Sequence, residues 1–173
     1  YHVARGVTAK QLVTLMLEQF FSRAASSAVN DPQRLFEAIT LASLVEKEAK
    51  HPHEQARIAG VFLNRLRNGM RLESCATVQY ILGEPKENLT LEDIRRPSLY
   101  NTYLHEGLPP GPIASPGAEA LRAVLLPEVH EYLFFVAKPD GSGEHTFSAA
   151  YRDHETARQK ARRTHRVIAK SIF

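Results

Sequence analysis

The sequence has a single cysteine, Cys75, so no disulfide can form within the chain. Its 173 residues, 43% of them hydrophobic, are enough to bury a core without one, and a single domain is the expectation. Long apolar runs are missing too. Nothing approaches the roughly 18 to 20 apolar residues of a membrane span, and no charged region followed by an apolar signal core opens the chain. The polypeptide is expected to be soluble, with room for an anchor or another domain before Tyr1. A glycine-rich phosphate loop is absent, because Gly107 to Gly111 lacks a strand before it and a helix after it, which argues against nucleotide chemistry. No Gly-x-Ser-x-Gly elbow nominates a nucleophilic serine. His51 and His53 have no clustered Cys, Asp or further His beside them, so neither a metal nor another cofactor is expected.

Positive charge is present but uneven. The formal net charge is +3, yet the segment from Tyr151 to Phe173 alone carries seven Lys or Arg against Asp153 and Glu155, which leaves the rest of the chain acidic. A basic end of this kind can meet nucleic acid, anionic lipid or an acidic polymer, but it is more often the solvated face of a terminal helix.

Thr8 followed by apolar residues at helical spacing predicts a first helix from about Ala9 to Ala25, and Ser26, Ser27, Asn30 and Asp31 read as a break. Asp31 before Pro32 starts a second helix, whose apolar face is Leu35, Ala38, Ile39, Ala42, Val45 and Ala49 and which stops near Lys50 to Pro52. A third helix runs from about Glu54 to Arg67, closed by Asn68-Gly69. From about Met70 to Pro116, Pro, Gly, Asn and Tyr predict mainly loops, with a rigid corner at Leu108 to Gly111 and aromatic and amide groups suited to a binding surface. A helix over Ala118 to Leu125 follows. Tyr132 to Ala137 and His145 to Ser148 read as an antiparallel hairpin around Pro139-Asp140-Gly141, and the basic segment is the last helix. The fold class expected is α+β: a mostly helical domain with a small antiparallel sheet and long loops forming a binding cleft.

Chemistry is concentrated near the end of the second helix, in Ser43-Leu44-Val45-Glu46-Lys47-Glu48-Ala49. The helix dipole disfavours negative charge at a C-terminal end, and apolar neighbours disfavour it further, so a carboxyl group there can stay protonated near neutral pH and donate its proton. The plain alternative is that Glu46 and Glu48 are exposed partners of Lys47, Lys50 or Arg57. On a helical wheel anchored at Leu35, Glu46 lies about 20° from the anchor and Glu48 about 140° away, so the wheel buries Glu46.

Ala42 to Glu48, then Val61-Phe62-Leu63-Asn64-Arg65-Leu66, Met70-Arg71-Leu72, Thr77-Val78-Gln79-Tyr80, Tyr100-Asn101-Thr102-Tyr103 and Gly107 to Ile113 follow in order, and Tyr132 to Ala137 and His145-Thr146-Phe147 complete the series. Together they resemble the successive signatures of the MltG (YceG-like) family over nearly the whole chain. Two departures stand out. Where the family commonly reads Leu-Gln-x-Asp-Pro-Thr-Val, this chain has Leu72-Glu73-Ser74-Cys75-Ala76-Thr77-Val78, with a carboxylate for the amide and Cys75-Ala76 for Asp-Pro.

The resemblance implies that residues 1–173 form one catalytic domain, without the family's N-terminal membrane span and LysM-like domain. It implies an endolytic lytic transglycosylase that cuts peptidoglycan glycan strands on the periplasmic, extracytoplasmic side of the bacterial inner membrane. Other cell-wall synthesis proteins are possible partners, with no nucleic acid and no membrane contact except through the segment absent here. Glu48, the second acid of the Glu-Lys-Glu pair, is the implied acid and then base. Glu46 is then a buried structural partner of an arginine such as Arg65. Substrate contacts are expected from Asn64, Glu73, Thr77, Tyr80, Asn101 and Tyr103, by hydrogen bonding and by stacking of sugar faces. Asn64 has a competing reading as a loop-holding amide, and each Tyr as packing. Two alternatives remain: a peptidoglycan hydrolase (muramidase) using Glu48 and Glu73 as its carboxylate pair, and a nucleic-acid-binding module using the basic C-terminal helix.

Overall fold

Local signals set most of the helix ends. In the computed structural model, which describes residues 2–24, 31–84, 86 and 89–170 and only the backbone of 23–24 and 162–170, α1 spans Ala9–Ala24. The expected break over Ser26, Ser27 and Asn30 lies outside the described residues. Helix α2 spans Pro32–Glu48: Asp31 caps it by accepting from the Gln33 amide at 3.0 Å, and Pro32 supplies the preset φ of a first turn. Helix α3 (Pro52–Arg67) also opens on proline.

The region expected to be loops holds two further helices. Helix α4 (Cys75–Leu82) ends at Gly83, which adopts φ 77° as its left-handed cap, and the short α5 (Leu91–Ile94) starts at a capping box of Thr90 and Asp93. Helix α6 (Ala118–Leu125), strands β1 (Phe134–Ala137) and β2 (His145–Ser148), and α7 (Tyr151–Lys170) complete the chain. The strands pair antiparallel with Phe135 opposite Phe147, and the Leu133 amide adds a bond to the Ser148 carbonyl at 3.0 Å. The architecture is therefore α+β, mostly helical with one small sheet.

The core lies among α2, α3 and α6. Leu41, Ala42, Leu44 and Val45 meet Ile58, Ala59 and Phe62, and Ala120, Leu121, Ala123 and Val124 close the third side. Phe62 also packs edge-to-face on Phe135 of β1, with ring centroids 5.8 Å apart, which seats the sheet on α3. Helix α7 covers the sheet, with Phe134 against Tyr151 and His154. Its first half is thus partly a packed structural element rather than a free basic arm. The prolyl corner is pinned from below, because the buried Ser43 hydroxyl accepts from the Ile113 amide at 3.0 Å.

Gly60 marks the closest approach. A Cβ there would lie 2.5 Å from the Glu128 carbonyl oxygen and 2.6 Å from His130 Nε2. Neither neighbour is free to give way. His130 Nδ1 accepts from the Tyr132 amide at 3.0 Å, so Nε2 carries the proton and donates to the Arg57 carbonyl at 2.9 Å, while the Glu128 amide is bonded to the Ala56 carbonyl. Gly60→Ala is expected to cost about 1 to 3 kcal/mol through overpacking, read as a lower melting temperature; an unchanged melt would show that the 128–132 segment yields freely.

Candidate functional site

Glu48 is the last residue of α2, and it faces the first turn of α4. The Ser74 hydroxyl donates to Glu48 Oε1, and the Ala76 amide donates to the same oxygen at 3.4 Å. Burial pushes the Glu48 carboxyl above its ordinary value, while the bonds from Ser74 and Ala76 and the nearby His145 pull it part of the way back. Two helix termini act on it in opposite senses: the C-terminal end of α2 disfavours charge and the N-terminal end of α4 favours it. A group balanced in this way can hold a proton and can also part with it.

Glu48 lines a cavity of about 510 Å³ together with Lys47, Cys75, Ala76, Gln79, Tyr80, Gly83, Glu84 and Ile113. The Tyr80 ring is half exposed and tilts against Tyr100 at 4.9 Å between centroids, an aromatic surface suited to a sugar face. Behind the wall, His145 and Glu54 form a buried pair. Glu54 Oε1 accepts from the His145 amide at 3.0 Å and Oε2 meets Nδ1 at 2.8 Å, so the start of β2 is tied to the first turn of α3. Among the described residues no group of three or more His, Cys, Asp or Glu could hold a metal ion, and no helix is long and apolar enough to cross a membrane.

The expected substrate residues divide. Tyr80 is on the cavity wall, and Tyr103 stands one side chain behind it, its hydroxyl 3.0 Å from Cys75 Sγ. Burial, the Cys75 contact and the charges of Glu48 and Glu73 all push the Tyr103 hydroxyl upward, so it remains neutral. Asn101 is fully buried. Its Nδ2 donates to the carbonyls of Ile94 and Arg96 at 2.9 and 2.8 Å, and its Oδ1 accepts from the Tyr103 amide at 3.0 Å, so a loop takes up the amide expected to face a sugar. Thr77 is fully buried too, bonded to the Ser74 carbonyl and to Thr102. Asn64 Nδ2 donates to the carbonyls of His130 and Tyr132, which is the loop-holding role.

Glu73 is engaged by Arg65, with Nη2 to Oε2 at 2.5 Å. The pairing expected between Arg65 and Glu46 is therefore replaced. Glu46 is half-buried and its Oε2 accepts from the Gly117 amide at 3.2 Å, serving the start of α6. Sequence reasoning passed over Ser74, Ala76 and Gln79 as individual residues. Only their place inside the motif between Leu72 and Tyr80 could have signalled them.

The sequence model of the YceG-like family matches residues 1–160. An endolytic murein transglycosylase of Bacillus subtilis is 40% identical over 122 residues, covering 70% of this chain and 33% of the relative. One from Streptococcus pneumoniae is 33% identical over 145 residues, covering 79% of this chain and 26% of the relative. The chain thus spans a third or less of the length of these curated relatives. The crystal structure of a YceG-like protein from Listeria monocytogenes superposes with a TM-score of 0.78 at 35% identity, covering 90% of this chain and 52% of that one. With the family's sequence model running from Tyr1 through both strands and into α7, the chain belongs to the YceG-like family.

Proposed function

We propose that residues 1–173 are the catalytic domain of an endolytic lytic transglycosylase, which cuts peptidoglycan strands between N-acetylmuramic acid and N-acetylglucosamine. The observation that carries this reading is the Glu48 carboxyl, raised by burial, anchored through one oxygen and open to a cavity of about 510 Å³ beside an aromatic surface. The two relatives named as endolytic murein transglycosylases support the same substrate. Murein lies outside the cytoplasm, so the domain acts there. Attachment to the inner membrane, through a segment outside this chain, is part of the same proposal.

The reaction proceeds through an oxocarbenium-like transition state, in which the leaving glycosidic oxygen needs a proton. Protonated Glu48 supplies it as the C1–oxygen bond of the muramyl residue breaks. The carboxylate left behind removes the proton of the muramyl C6 hydroxyl, whose oxygen bonds to C1 and closes a 1,6-anhydro ring. Glu48 ends protonated, and no water is consumed. One carboxyl group suffices.

Hydrolysis would need a second carboxylate to hold a water. The expected candidate, Glu73, has its carboxylate engaged by Arg65, and Glu84 is the other acid among the described lining residues. Incubation with purified peptidoglycan is expected to release products ending in 1,6-anhydro-N-acetylmuramic acid, one water lighter than hydrolytic products by mass spectrometry. Glu73→Gln is expected to give the same products at a rate within a few-fold, since an amide oxygen can still accept from Arg65. Reducing ends would overturn the lytic reading. Loss of activity in folded Glu73→Gln would restore Glu73 to a direct role.

A further inference from the structure

We infer that Ser74 is a positioning residue that reserves Oε2 of Glu48 as the oxygen carrying the transferred proton, an inference that rests on the reading of Glu48 as acid and base. Ser74 is the N-cap of α4, where a serine ordinarily spends its side-chain oxygen on an amide of its own first turn. Here it makes no such bond. Its hydroxyl donates to Glu48 Oε1, and the Ala76 amide, at the N2 position that a capping serine would serve, donates to that same oxygen. Glu48 has taken over the cap, and Ser74 has become its donor.

Both donors converge on Oε1, and among the described residues no donor reaches Oε2. A proton on Oε1 would face the hydrogens of Ser74 and Ala76, so the acid form carries it on Oε2. When that proton leaves, Oε1 keeps both bonds. The carboxyl group passes between its two states without reorganising its surroundings, which is what a group acting first as acid and then as base requires.

The backbone of Ser74 is itself locked. Its amide donates to Thr102 Oγ1 at 3.0 Å, and its carbonyl accepts from Thr77 Oγ1 at 2.8 Å. Thr77 has then used its only hydroxyl proton, so its 2.9 Å contact with Thr102 Oγ1 must take the Thr102 proton. The ring closes in one direction: Ser74 amide to Thr102, Thr102 to Thr77, Thr77 to Ser74 carbonyl. All three residues are buried, at 3%, 2% and 0% exposure. On the other side, Glu73 has φ 52°, and is the non-glycine residue with positive φ among those described. Its amide bond to the Thr102 carbonyl at 3.1 Å and its ion pair with Arg65 hold that turn, which sets the direction in which Ser74 leaves it.

The test is Ser74→Ala in the 173-residue chain, assayed on uncrosslinked glycan strands across pH, with thermal melting as the check on folding. Because Ser74 bonds to the charged form of Glu48 and so lowers its pKa, removing the hydroxyl raises it. The alkaline limb of the rate profile is expected to move to higher pH. The kcat is expected to fall on the order of 10²-fold with KM within about twofold, as for misplacement of a reacting group. Ser74→Cys, close in volume and a weaker donor, is judged by the same two readouts if the alanine variant does not fold. Wild-type kcat with an unmoved limb would overturn the inference, and so would a lower kcat with the limb unmoved, which marks a merely structural serine. Glu48→Gln is the control: if it turns over normally, it is the assignment of Glu48 that fails, whatever Ser74 does.

Discussion

Glu48→Gln is expected to lower turnover of peptidoglycan by about 10²- to 10⁴-fold or more, the range for losing a general acid, and here one residue also serves as the base. The variant should fold. Gln keeps an oxygen to accept from Ser74 and Ala76, and removes the ionisation that burial opposes. The pH dependence of stability follows with a definite sign. A carboxyl whose native pKa is raised binds its proton more tightly folded than unfolded, so its contribution is fully present below the unfolded value and is lost as pH rises through the native value. Across that window the wild type should lose stability while Glu48→Gln does not, so the variant gains relative stability toward higher pH. Parallel denaturation curves for the two proteins would contradict the burial of this carboxyl; full activity of Glu48→Gln would remove it from the mechanism.

Asn101→Ala should act on the fold rather than on sugar binding. Truncation leaves the carbonyls of Ile94 and Arg96 and the amide of Tyr103 without their partner, in a position with no exposure to water. Each unsatisfied buried group costs about 1 to 3 kcal/mol, so a loss of about 3 kcal/mol or more is expected once relaxation is allowed for. Chemical denaturation gives the number directly. Activity measured on the folded fraction should change mainly through Tyr103, whose amide the Asn101 side chain holds. A variant with wild-type stability and a much higher KM would return Asn101 to the substrate.

The contrast between Asn101 and Tyr80 shows where reading a sequence loses its grip. Both stand in a loop-rich stretch, and both residue types bind glycans. An amide, however, is equally good at satisfying the carbonyls at the end of a short helix, and Asn101 is spent on those of Ile94, the last residue of α5, and of Arg96 just beyond it. Tyr80 has one half-exposed face and lines the cavity. Composition distinguishes neither case, because the same donors and acceptors serve a sugar or a backbone. Asn64 and Thr77 carry the same ambiguity, since both side chains are bonded to backbone carbonyls of the chain itself.

Helix α4 was also hidden. Cys-Ala-Thr-Val-Gln-Tyr-Ile-Leu has only a short apolar periodicity, and its N-cap serine gives no capping bond of its own. Its existence follows from tertiary packing: it lies against α2 and α5, and its Thr77 and Val78 are fully buried. The burial of the Glu48 carboxyl turns on that packing too. A helical wheel assumes one buried face, but Thr40 through Val45 are buried without interruption, with α6, α3 and α4 packed around the helix. Once a helix is enclosed on several sides, angular position no longer says which carboxyl loses water.

Local chemistry in the chain was sufficient for the elements whose signals lie within a few residues: the Asp31-Pro32 start of α2, α3 and its end at Arg67, α6, and a hairpin whose apolar strands flank Pro139-Asp140-Gly141. The motif series was sufficient for the family. Tertiary structure alone decided that Glu48 meets Ser74 and Ala76 across 26 and 28 positions of chain, that Arg65 pairs with Glu73 rather than Glu46, and that Asn101 faces inward. These are contacts between segments distant in sequence, and their partners are chosen by burial and by the need to satisfy every polar group that burial traps.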